Sequence, residues 1–411
     1  MYTTPRMRQA SLVGFDTIIA SGIDEKLDSH LLHAPKYTYT LAQVCQRLSS
    51  GKSITAADIQ DSGEYPVYGA NGVRGYTSVS NFKGECAIIG RQGAYCGNVH
   101  YFSGEAYMSE HAVVAHPNEL ADARYLAYLL SLMDLSRLQG QSAQPGLSVQ
   151  TLAKQNIQLP DIATQQRIGN LLGVLDKKIE LNCQLNDNLE AMAQALYDYW
   201  FVQFDFPDEN GKPYKSSGGK MVWNEVLKRE IPEGWTNSTV QDYIKIGNGK
   251  DHKSVGSGEI PCYGSGGFMF GVAKAIYTGE SVLLPRKGSL NNVMLVDGSF
   301  WTVDTMFYSE PKMKGAAKYV YYGIQVYDLA SMNLGTGVPS MTSTRLYSLK
   351  LVGAPYTILA KFDVVVSPLL SKARSLLAEN KVLAAQRDFL LPLLMNGQVQ
   401  VKPLNYRLTA D

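Results

Sequence analysis

The chain is poor in the residues that staple small proteins or hold metals. Its five cysteines (Cys45, Cys86, Cys96, Cys183 and Cys262) are odd in number and form no CxxC pair. That argues against a disulfide framework and a zinc site, and fits a reducing cytoplasm. The six histidines include no HExxH and no metal-spaced pair. No apolar run reaches the roughly 18 residues of a membrane span. The opening MYTTPRMRQASLVGFD lacks the charged-then-apolar pattern of a signal peptide. Charge is sparse and balanced, 18% of residues with a net charge of +1. A nucleic-acid binder usually carries a basic excess, so composition alone names no partner.

Catalytic signatures are missing as well. There is no Asn/Asp-Pro-Pro-aromatic tetrapeptide of the adenine-methyltransferase kind, and no glycine-rich turn placed to cradle S-adenosylmethionine. SSGKS at Ser49–Ser53 suggests a phosphate loop, but the earlier glycine that loop requires is replaced by Gln46. GLSVQ at Gly146–Gln150 does not fit the GxSxG elbow. Acidic residues form no nuclease-like cluster. The chain is therefore expected to be non-catalytic, with no metal or cofactor of its own.

What is present is repetition. GEYPVYG at Gly63–Gly69 returns as GEIPCYG 195 positions later, at Gly258–Gly264. At the same shift Gly84-Glu85 falls on Gly279-Glu280, and Arg91–Gly93 on Arg286–Gly288. One residue is then lost. At a shift of 194, Asn98-Val99 meets Asn292-Val293, Tyr125 meets Tyr319, and Pro145 meets Pro339. Two copies, each far longer than a solenoid repeat, mean two homologous domains. Within each, short Tyr/Val/Ile segments punctuated by glycine read as strands and turns, followed by a helical stretch. GECAIIGRQG and GESVLLPRKG are the clearest: an apolar strand ending in a basic turn.

Each copy is followed by a heptad pattern. Ile168, Leu172, Leu175, Ile179, Leu189 and Leu196 form the first, with Asn186 at a would-be core position. Leu369, Ala373, Leu376, Leu383 and Leu390 form the second, with Asn380 in the place of Asn186. A buried asparagine costs stability but can fix the register of a coiled coil. Two amphipathic helices packed on their own domains remain the other reading. Sustained heptads favour an antiparallel pair, which would relate the domains by a pseudo-two-fold axis.

The predicted fold is α/β: two homologous mixed α/β domains joined by a pair of long antiparallel coiled-coil helices. The expected boundaries are an arm at 1–36, a first domain at 37–160 and a helix at 161–204. A linker at 205–230 follows, then a second domain at 231–354, a helix at 355–395 and a tail at 396–411. The first helix should run from Thr164 to Trp200, and Trp200, Phe201, Phe204 and Phe206 should close its end as core.

These features together resemble the specificity subunit of type I restriction-modification systems. The segments LPDIATQQRIGNLLGVLDKKIELN, LYDYWFVQFDFP, NGKPYKSSGGKMV and REIPEGW resemble that family's central conserved segment, and LLPLLMNGQVQV its distal one. The resemblance runs from about Tyr37 onward; residues 1–36 are not covered. It implies two target-recognition domains, each reading half of an interrupted double-stranded DNA site. It also implies helices that set the gap and dock two methyltransferase subunits, with motor-nuclease restriction subunits joining the assembly. S-adenosylmethionine would then belong to the methyltransferase partners.

DNA recognition needs phosphate contacts for affinity and base-edge contacts for sequence. Arg74, Lys83 and Arg91 in the first copy, and Lys250, Lys253, Arg286 and Lys287 in the second, suit phosphates. Asn71, Gln92, Tyr95 and Asn98, matched by His252, Tyr263, Asn291 and Asn292, suit bases. Gln144, Ser340 and Thr342, in the corresponding loops GQSAQPGLS and GTGVPSMTS, are further candidates. Any one of these can instead be an ordinary solvated loop residue. Scaffold glycines are shared while side chains change, so the target should be asymmetric, with half-sites about one DNA turn apart. A reading from another class, a two-headed adaptor for protein or glycan ligands, accounts for the duplication. It leaves the central-segment resemblance unexplained.

Overall fold

Cys86, Ala87, Ile88 and Ile89 are fully buried, and this four-residue apolar run sits at the centre of the first sheet. Successive strand side chains point to opposite faces. Here both faces are covered, so alternation gives way to continuous apolarity. The computed structural model describes residues 35–140, 146–333 and 337–402. It divides into two compact units, Met1–Asn182 with Ala378–Asp411, and Cys183–Leu377.

In the first unit β1 (Tyr37–Thr40) pairs antiparallel with β8 (Asn156–Leu159). The main sheet uses β2 (Cys45–Ser50), β3 (Tyr65–Gly69), β4 (Gly72–Thr77), β5 (Phe82–Gly90), β6 (Val99–Met108) and β7 (Ala112–Pro117). Their order is β2-β7-β5-β6-β3-β4, with β3 and β6 parallel. Ala87, Ile89, Val113 and Ala115 face the helix Ala123–Leu132 through Tyr125, Leu126 and Leu130. Cys86, Ile88, Phe102 and Val114 form the core of the opposite face. Asp122 caps that helix, its Oδ1 accepting from the Tyr125 backbone N–H at 2.8 Å.

The second unit contains β9 (Met221–Asn224) paired with β10 (Arg229–Pro232), and β11 (Thr236–Thr239) paired with β20 (Lys350–Gly353). The remaining strands are β12 (Ile244–Asn248), β13 (Ser257–Gly264), β14 (Gly267–Val272), β15 (Tyr277–Thr278), β16 (Ser281–Pro285), β17 (Met294–Val296), β18 (Ser299–Thr302) and β19 (Met306–Pro311). They form two sheets, β12-β19-β16-β17 and β14-β13-β18-β15. The duplication reaches the register. Ile89 pairs with Val113 as Leu284 pairs with Phe307, and Tyr68 with Met108 as Tyr263 with Thr302. The strands equivalent to β5 and β6 are each broken in two, so one sheet becomes two.

In the helix Ala316–Ile324, Lys318 is 4% exposed and donates to Asp363 Oδ1 at 2.6 Å and to Glu280. This ion group fastens the helix to the second long helix. The equivalent residue of the first unit, Arg124, instead lies 4.6 Å over the Tyr101 ring. Trp200, Phe201, Phe204 and Phe206 are buried with Trp235, as expected for core. Phe201 meets Tyr319 edge-on at 4.7 Å and Phe362 at 5.0 Å.

The first long helix spans Ile162–Tyr197 and continues into a π turn, Asp198–Val202. Its 36 residues extend roughly 54 Å at 1.5 Å per residue. Asp161 starts it by accepting from Thr164 N–H at 3.0 Å. The second long helix spans Tyr356–Asn396. Helix–helix packing supplies the core at Leu189, Ala373 and Leu376, against which Leu369 packs. Ile168 and Leu172 merge instead with the first unit's core, beside Leu394 and half-buried Leu390. Leu196 joins the second unit's aromatic core. Leu175 and Leu383 are buried, and Ile179 half-buried. Both sequence readings of these helices are therefore partly realised, pairing along one stretch and domain packing along another.

The partner of Asn380 is Asn182. Asn182 Nδ2 donates to Asn380 Oδ1 and to Glu379 Oε2, each at 2.9 Å, and Arg387 reaches Asp176 at 2.7 Å. In the first unit residues 176 and 182 thus meet 387 and 380, which is antiparallel pairing. Asn186 is 7% exposed; its Nδ2 donates to Glu190 at 3.1 Å, and its Oδ1 has no partner among the described residues.

Candidate nucleic-acid interface

In each unit three segments converge. The first is a hairpin tip: Gly69 pairs with Gly72 around Ala70-Asn71, and Gly264 with Gly267 around Ser265-Gly266. Gly72 and Gly267 take φ of +92° and +111°, a region open to glycine. The second is the basic loop after the central apolar strand, Arg91–Asn98 or Arg286–Asn292. The third lies beyond the helix Ala123–Leu132 or Ala316–Ile324 and includes Gly146 or Ser340.

Matched backbone bonds tie them together. Leu147 N–H donates to Arg91 O at 2.8 Å, and Met341 N–H to Arg286 O at 2.9 Å. Gln92 bridges Gly146, as Lys287 bridges Ser340. Asn292 Nδ2 donates to Ser265 O at 2.8 Å, holding the second hairpin tip against its basic loop. In the first unit a Cβ built on Gly90 would lie 2.6 Å from Ala70 O, so that tip rests on its loop too.

This frame sorts the candidate residues of the first unit. Asn71, Arg74, Tyr95 and Asn98 are exposed, with Tyr95 at 51%. Asn98 Nδ2 lies 3.2 Å from His100 Nε2. Arg91 and Gln92 are half-buried, and Gln92 Oε1 lies 2.9 Å from His111 Nδ1. Lys83 stands apart. It is the second residue of the strand that Arg91 follows, roughly 26 Å away along the chain, and it pairs with Glu105 at 3.2 Å. Gln144 lies outside the described residues, as do residues 1–34 of the arm and 403–411 of the tail.

In the second unit Lys250, His252 and Lys253 share a loop packed on the hairpin sheet. Trp301 Nε1 donates to Lys250 O at 2.9 Å, and the His252 ring lies 4.7 Å from Phe270. Lys253 is exposed, 3.9 Å from Asp251. This loop and the hairpin tip enclose a concavity of about 750 Å³ lined by Asp251, His252, Lys253, Phe268, Met269 and Thr305. Tyr263 is half-buried and stands edge-on to Phe268 at 6.3 Å. The Arg286 guanidinium lies 5.8 Å over Phe307, and Lys287 is exposed.

Several candidates spend their polar groups on bonds within the chain. Asn291 Nδ2 donates to Asp328 Oδ1 at 3.0 Å, and its Oδ1 accepts from Ala330 N–H at 2.9 Å. The first of these bonds holds the Asp328 carboxyl below the usual range. Ser340 N–H donates to Asn333 Oδ1 at 2.7 Å. Thr342 caps the helix Ser343–Tyr347, accepting from Arg345 N–H at 3.3 Å.

Phe268 and Met269, 63% and 49% exposed, went unnoticed in the sequence. Their positions opposite Val73 and Arg74 in the duplication were the signal for them. A second surface lies on the first long helix. Val174, Leu181, Leu185 and Met192 are 63%, 48%, 42% and 53% exposed, spaced by seven, four and seven residues along one face. Among the described residues no group of His, Cys, Asp and Glu could hold a metal. No helix there is long and apolar enough to cross a membrane.

Residues 36–191 match the type I restriction modification DNA specificity domain. The MjaIX specificity subunit of Methanocaldococcus jannaschii is 26% identical over 318 residues, 70% of this chain and 72% of that one. The EcoprrI specificity subunit of Escherichia coli is 36% identical over 141 residues, 33% of this chain and 35% of its own length. A crystal structure of the S subunit from M. genitalium shares the fold, with a TM-score of 0.65 at 18% identity, covering 90% of this chain and 97% of that one. With its duplicated α/β units and a long helix following each, the chain is similar over most of its length to type I restriction-modification specificity subunits, whose DNA specificity domain its residues 36–191 match.

Proposed function

We propose that this chain is the non-catalytic DNA-reading subunit of a type I restriction-modification complex, each unit recognising one half of an asymmetric, interrupted duplex target. The observation that carries this is the duplicated three-segment surface. Matched backbone bonds recur in both units, while exposed residues at equivalent positions differ: Asn71, Val73 and Arg74 against Gly266, Phe268 and Met269. A common frame with exchanged side chains suits two readers of different sequences.

Phosphate grip would come from Arg91, Lys250, Lys253, Arg286 and Lys287. The near-neutral chain should bind DNA weakly and with strong salt dependence when alone, and tightly in the assembly. The exposed apolar stripe on the first long helix suits docking of methyltransferase subunits, which would carry S-adenosylmethionine. Restriction subunits would join that assembly. The test is modification-sensitive sequencing of the host genome with and without this chain. Methyladenine on both strands of an interrupted asymmetric motif should disappear on deletion; persistence of every such motif would overturn the reading.

A further inference from the structure

The two hairpins share a defect. In the first, Val67 pairs with Gly75 and Tyr68 with Val73, which leaves Arg74 as an extra, bulged residue. In the second, Cys262 pairs with Phe270 and Tyr263 with Phe268, which leaves Met269 in the same place. A bulge takes one side chain out of the strand's alternation and re-aims it.

Both bulged side chains lie across the last glycine of the neighbouring strand. A Cβ on Gly69 would fall 2.5 Å from Arg74 Cδ, and one on Gly264 would fall 2.8 Å from Met269 Sδ. Each glycine leaves the space that the re-aimed side chain occupies. Both side chains remain exposed, and each hairpin tip rests on its basic loop. Among the described residues Arg74 has no ion-pair partner.

We propose that the bulged residue is the base-reading position of each unit, Arg74 taking a guanine and Met269, beside Phe268, a thymine methyl. This rests on the DNA-reading function above. A guanidinium offers two parallel N–H donors that match O6 and N7 of guanine, and an apolar side chain matches the C5-methyl of thymine. The alternative for an exposed arginine is a phosphate. Phosphates are the same in both half-sites, and Arg91, assigned to grip them, keeps its cation in the other unit as Arg286. Here the backbone frame is kept and the cation is exchanged for a thioether, which marks a position where the units differ in what they read.

The experiment uses the chain assembled with its methyltransferase subunits. Affinities are measured for the methylated motif's duplex, for the same duplex with single base-pair changes, and for an unrelated duplex. Arg74→Lys and Arg74→Met should each lose roughly 10- to 100-fold discrimination at one G·C pair in one half, with binding to unrelated DNA unchanged. Replacing one thymine of the other half by uracil should weaken wild-type binding about fourfold, and Met269→Ala should abolish that difference. Melting curves confirm that the variants fold, and the uracil duplex needs no variant. An equal loss on target and unrelated DNA, with a salt slope reduced by about one, makes Arg74 a phosphate contact and overturns the proposal. Unchanged discrimination in every variant overturns it too, while leaving the DNA-reading function intact. If the wild-type assembly shows no preference among the duplexes, that function fails and the proposal with it.

Discussion

Asn182 Nδ2 donates to Asn380 Oδ1 at 2.9 Å, joining the two long helices through a pair of amides where heptad spacing would admit leucine. Asn182 is only 2% exposed, so its amide depends on protein partners. Asn380→Leu should destabilise the first unit by about 1–3 kcal/mol, the cost of an unsatisfied buried polar group. The double variant Asn182→Leu/Asn380→Leu should recover most of that loss, because two apolar groups replace both partners. Urea unfolding of the two singles and the double measures the coupling.

Lys318 should be the least replaceable charge of the second unit. Lys318→Met leaves Asp363, itself 9% exposed in its side chain, without the partner at 2.6 Å. The expected loss is about 3–5 kcal/mol. Asp363→Asn in the same background should restore part of it, as read by thermal melting.

The apolar stripe on the first long helix predicts a separation of assembly from stability. Leu181→Glu changes a residue that is 48% exposed, and stability should shift by no more than about 0.5 kcal/mol. Co-purification with methyltransferase subunits should fall sharply. Unchanged co-purification would place docking elsewhere.

Exchanging residues 37–160 for the corresponding unit of another specificity subunit should alter one half of the methylated motif and leave the other half and the gap unchanged. Single-molecule sequencing of host DNA reads the outcome directly.

Asp328 gives a pH test. The hydrogen bond from Asn291 holds its carboxyl low. A depressed native pKa means a contribution complete at neutral pH and lost as pH falls through the folded-state value, below the roughly 3.9 of free aspartate. In Asn291→Ala the Asp328 carboxyl should titrate at higher pH than in the wild type, as followed by carboxyl carbon NMR shifts.

The duplication, the long helices and the aromatic closure at Trp200–Phe206 were readable because each is a local or periodic signal. Glycines recur where turns demand them, apolar residues recur at helical spacing, and aromatics gather where a helix ends. The interface was readable only as a set of segments. Asn291, Asn292 and Thr342 read in the sequence as polar groups open to DNA, yet each bonds within the chain, to Asp328, Ser265 O and Arg345 N–H. Lys83 shares a glycine-bounded stretch with Arg91, but a strand's rise carries the two apart.

By itself the sequence determined that one α/β unit is written twice, that a long helix follows each copy, and which loops carry the basic residues. Those features depend on spacing along one chain. Tertiary structure alone decided that Asn380 meets Asn182, and that Arg74 and Met269 are the residues squeezed out of their hairpins. Both depend on the register between two segments, and a register is a property of the pairing that neither segment encodes alone.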